Sequence, residues 1–218
     1  MTETLTIWTY DWVPDGKSGP RGFVRDLRLR WACEEAGLDY DVRSVPFKDR
    51  GPDHFARQPF GQVPFLTEND ISVFESGACL LYLARKSDIL MPRDLKGEME
   101  VLEWTVAALN SMEMVTVPWW FLGLSQAADN PLEGWAMTRL KHLETVLAQR
   151  EWLAAERFTV ADLLMTDVLR IPKVRAAGDF PATRAYVDRV CARPAFKKAY
   201  DGQMAFFAAG GTAQHHKA

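Results

Sequence analysis

An acid and a hydroxyl stand side by side at Glu75-Ser76, directly after the apolar run Ile71-Ser72-Val73-Phe74 and directly before a helical pattern of Ala78, Leu80, Leu81, Leu83 and Ala84. Where a strand hands over to a helix, the first backbone N–H groups are free and the helix dipole is positive. Such a point suits an anion such as a carboxylate. Ser and Glu are also ordinary helix-start residues, so a plain cap explains the pair as well. Upstream, Gln62-Val63-Pro64 puts an extended residue before a proline, which turns its N–H and C=O sideways as a strand edge does for an incoming peptide. Other chemistry-bearing residues are scattered. The three cysteines, Cys33, Cys79 and Cys191, form no CxxC or metal spacing and read as buried free thiols inside helical patterns. His215-His216 lies in a terminal stretch and reads as an incidental pair.

The elements that must position Glu75 and Ser76 are read from periodicity. Leu5 to Tyr10 alternates as a first strand, and Asp11 to Gly22 is a loop rich in Gly, Pro and Asp. A helix is predicted from Phe23 to Ala36, with Val24, Leu27 and Trp31 on one face and Gly37 as its stop. Tyr40–Val45 reads as a second strand, Asp53–Arg57 as a short helix, and Phe65-Leu66-Thr67 with Ile71–Phe74 as a hairpin around Glu68-Asn69-Asp70. Ser76 to Lys86 is the next helix. The order β-α-β-α-β-β-α is that of a thioredoxin-like domain, with a right-handed crossover between the first two strands. After a linker, the pattern is helical: a long helix from Glu98 to Val115, an apolar break at Pro118-Trp119-Trp120-Phe121, and a helix begun by Asp129-Asn130-Pro131 with Leu140, Leu143 and Leu147 on one face. Thr159 and Asp162 have the spacing of a capping box, with Phe158 and Leu163 as its staple. The expected organisation is thus α/β plus all-α: residues 1–87 thioredoxin-like, 88–97 a linker, 98–208 all-helical, and 209–218 a disordered tail.

The chain has 218 residues, 48% apolar and 25% charged, with a formal net charge of −3. That is ordinary for a globular protein with a real core, and it argues against a nucleic-acid surface. The N-terminus does not read as a signal peptide, and no apolar run approaches the roughly 20 residues that a membrane span needs. A cytoplasmic protein is expected.

The run Gly61-Gln62-Val63-Pro64-Phe65-Leu66, the acidic turn, and Phe74-Glu75-Ser76-Gly77-Ala78 with a helix behind it closely resemble the glutathione-binding half of the glutathione S-transferase family. The Thr159–Asp162 box and the segment Tyr186–Phe196 resemble that family's second half. The resemblance implies glutathione as co-substrate, a cis Val63–Pro64 bond with Val63 pairing its backbone with the cysteinyl part, and Glu75 and Ser76 on the γ-glutamyl end. Gln62 stands where many relatives have a lysine for the glycyl carboxylate; it can still donate a hydrogen bond, with Lys48, His54 or Arg57 as compensating cations. A homodimer is implied as well.

Transfer of glutathione needs its thiolate. Lowering the free value near 8.5 by two units corresponds to roughly 2.7 kcal/mol of preferential stabilisation. In the family a hydroxyl between the first strand and first helix does this, but here Phe23 takes the serine register and the loop is longer. Ser18 is the first candidate, with Tyr10 and an arginine, Arg21 or Arg25, as the others. For the second substrate the candidates are Trp12, Asn110, Glu113, Met114 and Trp119, an aromatic set suited to a flat apolar electrophile and equally to core packing. Expected function is transfer of glutathione to a small apolar electrophile. A glutathione-dependent isomerase or lyase, to which Glu113 or an arginine would point, and a non-catalytic binding or regulatory protein are the alternatives. Disulfide or peroxide reduction lacks a cysteine near the expected thiol.

Overall fold

The alternating residues Thr6-Ile7-Trp8-Thr9-Tyr10 form β1 (Thr6–Tyr10), with Ile7 and Thr9 in the core and Trp8 and Tyr10 half-exposed. The computed structural model describes residues 4–14, 20–124 and 129–217. Ser18 lies outside the described residues. α1 (Asp26–Ala36) comes next, then β2 (Tyr40–Val45), α2 (Pro52–Arg57), the hairpin β3 (Phe65–Glu68) and β4 (Ile71–Phe74), and α3 (Ser76–Ala84). β1 pairs parallel to β2 and antiparallel to β3, and with a last strand, β5 (Gln214–His216), the sheet order is β4-β3-β1-β2-β5.

The chain divides into two compact units, residues 1–90 with 194–218, and residues 91–193. Two expectations are corrected by this division. The last helix, α10 (Pro194–Ala208), belongs to the first unit, where it packs on α1, and not to the helical region. The expected disordered tail contains β5 (Gln214–His216), which extends the sheet by pairing antiparallel with β2. Tyr40 stacks on His216 at 4.7 Å, and His215 Nδ1 lies 2.7 Å from Asp41 Oδ1. Apolar and hydrogen-bonded contacts of this kind give the terminal strand a reason to stay docked.

The same docking explains an unexpected feature of α1. Leu27, Leu29, Trp31, Ala32 and Cys33 are buried, but so are Asp26, Arg28, Arg30 and Glu35. Charged residues are almost never buried unless paired. Here Arg30 Nε donates to Asp26 at 2.7 Å, and Trp31 Nε1 donates to Glu35 at 3.0 Å. Phe196 and Phe206 of α10 cover Trp31 and Arg30, at 4.7 and 5.0 Å between ring centroids and from guanidinium to ring.

The second unit starts with α4 (Leu95–Ala107), capped by Asp94, whose carboxylate accepts from Gly97 N at 2.9 Å. A π-helical turn over Ala108–Glu113 leads straight into α5 (Met114–Leu124). No break occurs at Pro118; the helix runs through it. A proline ring crowds the carbonyl four residues earlier, here that of Met114, and the wider turn lies immediately before that carbonyl. α6 (Glu133–Leu147), α7 (Val160–Leu169), α8 (Pro172–Arg175) and α9 (Pro181–Cys191) complete the unit, with Leu140, Leu143 and Leu147 buried on α6. Among the described residues, no helix is long and apolar enough to cross a membrane.

Thr159 and Asp162 form the capping box at the start of α7, which is buried along its whole length. Asp162 does more than cap. Its carboxylate also accepts from Leu153 N at 2.9 Å and from the Tyr186 hydroxyl at 2.9 Å. One buried carboxylate therefore ties three segments of the unit together. Asp162→Ala strips the acceptor from all of them, so we expect a loss of about 3 kcal/mol, larger than the ~1 kcal/mol of an ordinary cap. Denaturant unfolding measures it; a loss within the ordinary cap range would contradict the wider role.

Candidate functional site

Strand register brings three sequence-distant segments to one end of the sheet. Phe65 pairs with Trp8 of β1 and with Phe74 of β4. The residues just before Phe65, Val63 and Pro64, therefore lie beside the end of β1 at Tyr10 and beside the exit of β4 at Glu75. β2 runs parallel to β1 with Tyr10 opposite Val45, so the segment after β2 emerges at the same end.

At the exit of β4, Glu75 has φ 68 and ψ 122, a conformation that side-chain-bearing residues rarely adopt. Strain of this kind costs on the order of 1–3 kcal/mol and persists where the surroundings over-determine it. Glu75 is exposed, while Ser76 is buried. The first intrahelical bond of α3 runs from Cys79 N to Glu75 O at 2.9 Å, so the N–H groups of Ser76, Gly77 and Ala78 precede the helical ladder. The Ser76 hydroxyl accepts from Arg28 Nη1 at 3.0 Å across the core. Its proton is then free to donate outward, polarised by a cation behind it.

The Val63–Pro64 peptide is cis, with Val63 half-buried and Gln62 exposed. The turn leading to it is built by two buried side chains. Gln58 Oε1 accepts from Phe60 N at 2.7 Å and from Gln62 N at 3.2 Å, and His54 Nε2 lies 2.8 Å from Gln62 O. His54 is therefore a clamp on the backbone and not the cation that compensates for Gln62. Arg57 lies over Trp8, at 5.6 Å from the ring. A cation that does reach this corner is Arg50. Its Cδ lies 3.4 Å from where a Cβ on Gly61 would sit, and its guanidinium is 5.1 Å from the Tyr10 ring. Arg50 Nε is buried without a hydrogen-bond partner.

Tyr10 meets Phe47 edge-on at 5.1 Å, and Phe47 meets Trp12 in the same way at 5.5 Å. Burial raises the Tyr10 phenol above its ordinary value, and the charge of Arg50 opposes that shift. Tyr10 is thus a protonated hydroxyl donor at neutral pH. Trp12 is exposed. Arg25 is half-buried at the N-cap of α1.

In the second unit, the expected second-substrate residues divide. Asn110 and Met114 are exposed on the π-helical turn and the first residue after it, and Glu113 is buried. Trp119 is 2% exposed and donates its indole N–H to Glu133, with Lys173 Nζ 4.5 Å from its ring. That indole belongs to the core of its own unit and not to a ligand face. Burial pushes the Cys79 thiol up to about 12 and Cys191 to about 11, and Cys33 higher still. None of the three is poised as a thiolate.

Two family models match the chain: glutathione S-transferase, N-terminal domain, over residues 19–85, and glutathione S-transferase, C-terminal domain, over residues 126–194. The chain belongs to the glutathione S-transferase family. Glutathione S-transferase 1 of Schizosaccharomyces pombe is 29% identical over 78% of this chain and 88% of its own length. Glutathione S-transferase 1 of Zea mays is 28% identical over the same shares, 78% and 88%. Among solved structures, a Pseudomonas putida glutathione transferase with one glutathione disulfide bound per subunit superposes with a TM-score of 0.76 at 19% identity, covering 91% of both chains. The nitrogen regulation fragment of the yeast prion protein Ure2p superposes with 0.77 at 19% identity, covering 92% of this chain and 97% of that one. The glutathione S-transferase fold is therefore common to both.

Sequence reading missed Arg28, Arg50 and Gln58 in this family member. Arg50 carried a signal, as a cation shortly before the Gln62 turn; Arg28 and Gln58 act on partners that only the tertiary structure reveals. In Gln58→Ala the amides of Phe60 and Gln62 lose their acceptor. We expect their hydrogen exchange to accelerate about tenfold, equivalent to about 1.4 kcal/mol of local stability, with β3 unaffected. Unchanged protection at both amides would remove Gln58 from the account of the turn.

Proposed function

We propose that this protein binds glutathione at the end of the sheet where Tyr10, Val63 and Glu75 converge, and transfers it to a small apolar electrophile. The observation that carries the reading is the Glu75-Ser76 corner. An exposed carboxylate in a strained conformation suits the α-ammonium of the γ-glutamyl group, and the free N–H groups and hydroxyl at the start of α3 suit its carboxylate. Val63 offers its backbone to the cysteinyl part. Gln62 and Arg50 take the glycyl carboxylate, Arg50 supplying the charge that Gln62 lacks.

With the tripeptide held at three points, its thiol lies toward the end of β1. The donor that stabilises the thiolate comes from the segment between β1 and α1, from Ser18, Tyr10 or Arg25. The thiol proton leaves to solvent. The sulfur lone pair then forms the new bond to carbon, and the displaced group departs with its electron pair. Trp12, exposed just after the end of β1, is the residue offered to the electrophile. The protein is read as a cytosolic homodimer. Exposed Phe55, Phe60 and Phe74, with Phe60 and Phe74 rings 6.5 Å apart, supply an apolar patch for the second copy. A non-catalytic glutathione-binding role is the second reading, favoured by Phe23 in the position where relatives carry the activating hydroxyl.

Calorimetric titration with glutathione tests the site. Glu75→Ala, Ser76→Ala and Arg50→Met should each weaken binding by about 1–3 kcal/mol, as for a lost charged or polar contact. Undiminished affinity in all three would reject the assignment.

A further inference from the structure

Two contacts made by the C-terminal segment fall on the two ends of the stretch that joins β1 to α1. At the α1 end, Gln203 of α10 is fully buried. Its Nε2 donates to Val24 O at 3.0 Å and to Asp26 Oδ1 at 2.7 Å, and its Oε1 accepts from Gly22 N at 3.0 Å. One amide is thereby used completely, both donors and its acceptor, on the turn that starts α1. Tyr200 presses on the same turn. Gly22 has φ 78, and a Cβ there would stand 2.7 Å from the Tyr200 ring.

At the β1 end, Gly211 lies against Asp11. It has φ 73, and a Cβ on it would stand 2.3 Å from Asp11 O. Only glycine lets the two backbones approach so closely. Ser44 Oγ donates to Gly211 O at 3.1 Å and holds the approach from β2. Asp11 is itself fixed, donating its N–H to Val45 O and accepting from Phe47 N, both at 2.9 Å.

We propose that the segment from Tyr200 to Gly211 is a positioning element of the glutathione site: by clamping Gly22–Asp26 at one end and Asp11 at the other, it sets where Tyr10 and Arg25 stand relative to the bound thiol. This rests on the function proposed above. Tyr10 and Arg25, next to the two clamps, are two of the thiol donors proposed above. The γ-glutamyl and glycyl contacts at Glu75, Ser76, Gln62 and Arg50 lie on other segments. Donor placement within about half an ångström decides how far a thiolate is stabilised, whereas tripeptide affinity does not depend on it in the same way. Loss of a clamp is therefore expected to separate thiol activation from binding.

The experiment tracks the thiolate absorbance of protein-bound glutathione against pH, with affinity and thermal unfolding measured alongside. Gln203→Met removes the three bonds at nearly constant volume, and Gly211→Ala forces Asp11 away at the opposite end. Each is expected to raise the thiol pKa of bound glutathione by about one unit, a tenfold loss of thiolate at a given pH, while the dissociation constant changes by less than about threefold. Leu83→Ala, a buried change on α3 outside the Tyr200–Gly211 element and its partners, is expected to lower the melting temperature and leave the thiol pKa in place. If Gln203→Met fails to fold, Gly211→Ala decides, with Ser44→Ala as the milder change at that end. Folded clamp variants with the wild-type thiol pKa would overturn the proposal, as would an equal shift in Leu83→Ala. Bound glutathione with an unshifted thiol in the wild-type protein would instead overturn the activation step itself, and the clamp with it.

Discussion

The double pairing of Phe65, with Trp8 on one side and Phe74 on the other, is the constraint on which the candidate site depends. It fixes β3 between β1 and β4, so that the chain entering β3 must meet the chain leaving β1 and the chain leaving β4. A slip of β3 by one residue would carry Leu66 to the opposite face of the sheet, away from Ile7, and swap it with the larger Phe65, so the register is strongly specified. With the register set, the chain leaving β4 has to turn abruptly to enter α3, and Glu75 absorbs that turn at φ 68. The strain and the exposed carboxylate have one cause.

A second layer supports the first. Arg28 reaches Ser76 from inside, and Asp26 and Arg30 form an ion pair in which neither side chain is exposed. Burial raises the Asp26 carboxyl above its ordinary value, with Arg30 and the hydrogen bonds opposing it. Removing either partner of such a pair costs several kcal/mol, about 3–5, because a buried charge is left alone. A pair of this sort adds little net stability over an apolar replacement. What it does is fix the start of α1, and α10 completes it through Gln203 and Phe206. The C-terminal helix thus acts as part of the thioredoxin-like unit, although the whole helical unit, residues 91–193, separates it from that unit in sequence.

How much of this was legible in the sequence depends on whether the signal was local. β2 at Tyr40–Val45 and β4 at Ile71–Phe74 read directly from alternation and turn residues, and the Thr159–Asp162 box from its spacing. The Glu75-Ser76 corner was legible because strand, acid, hydroxyl and helix are contiguous. Pro118 misled, because a proline normally marks a helix end and the π-helical turn that accommodates it leaves no pattern of its own. The burial of Arg28 and Arg30 left no local signal, since nothing in their neighbourhood announces that α10 will pack on their helix. The terminal Gly210-Gly211 and His215-His216 looked like a loose tail, because a three-residue strand and one glycine contact depend on partners at Asp11, Ser44 and Tyr40. Trp119 stood open between a ligand-facing aromatic and core packing, and its burial and its partner Glu133 assign it to the core.

The central claim is that glutathione is held at this corner with its thiol ionised by donors at the end of β1. Ultraviolet titration of the thiolate in the complex of glutathione with the wild-type protein tests it most directly. The account predicts a bound thiol titrating about two units below its free value near 8.5, and so mostly ionised at neutral pH. A bound thiol that titrates at its free value, or no binding at all, would contradict it.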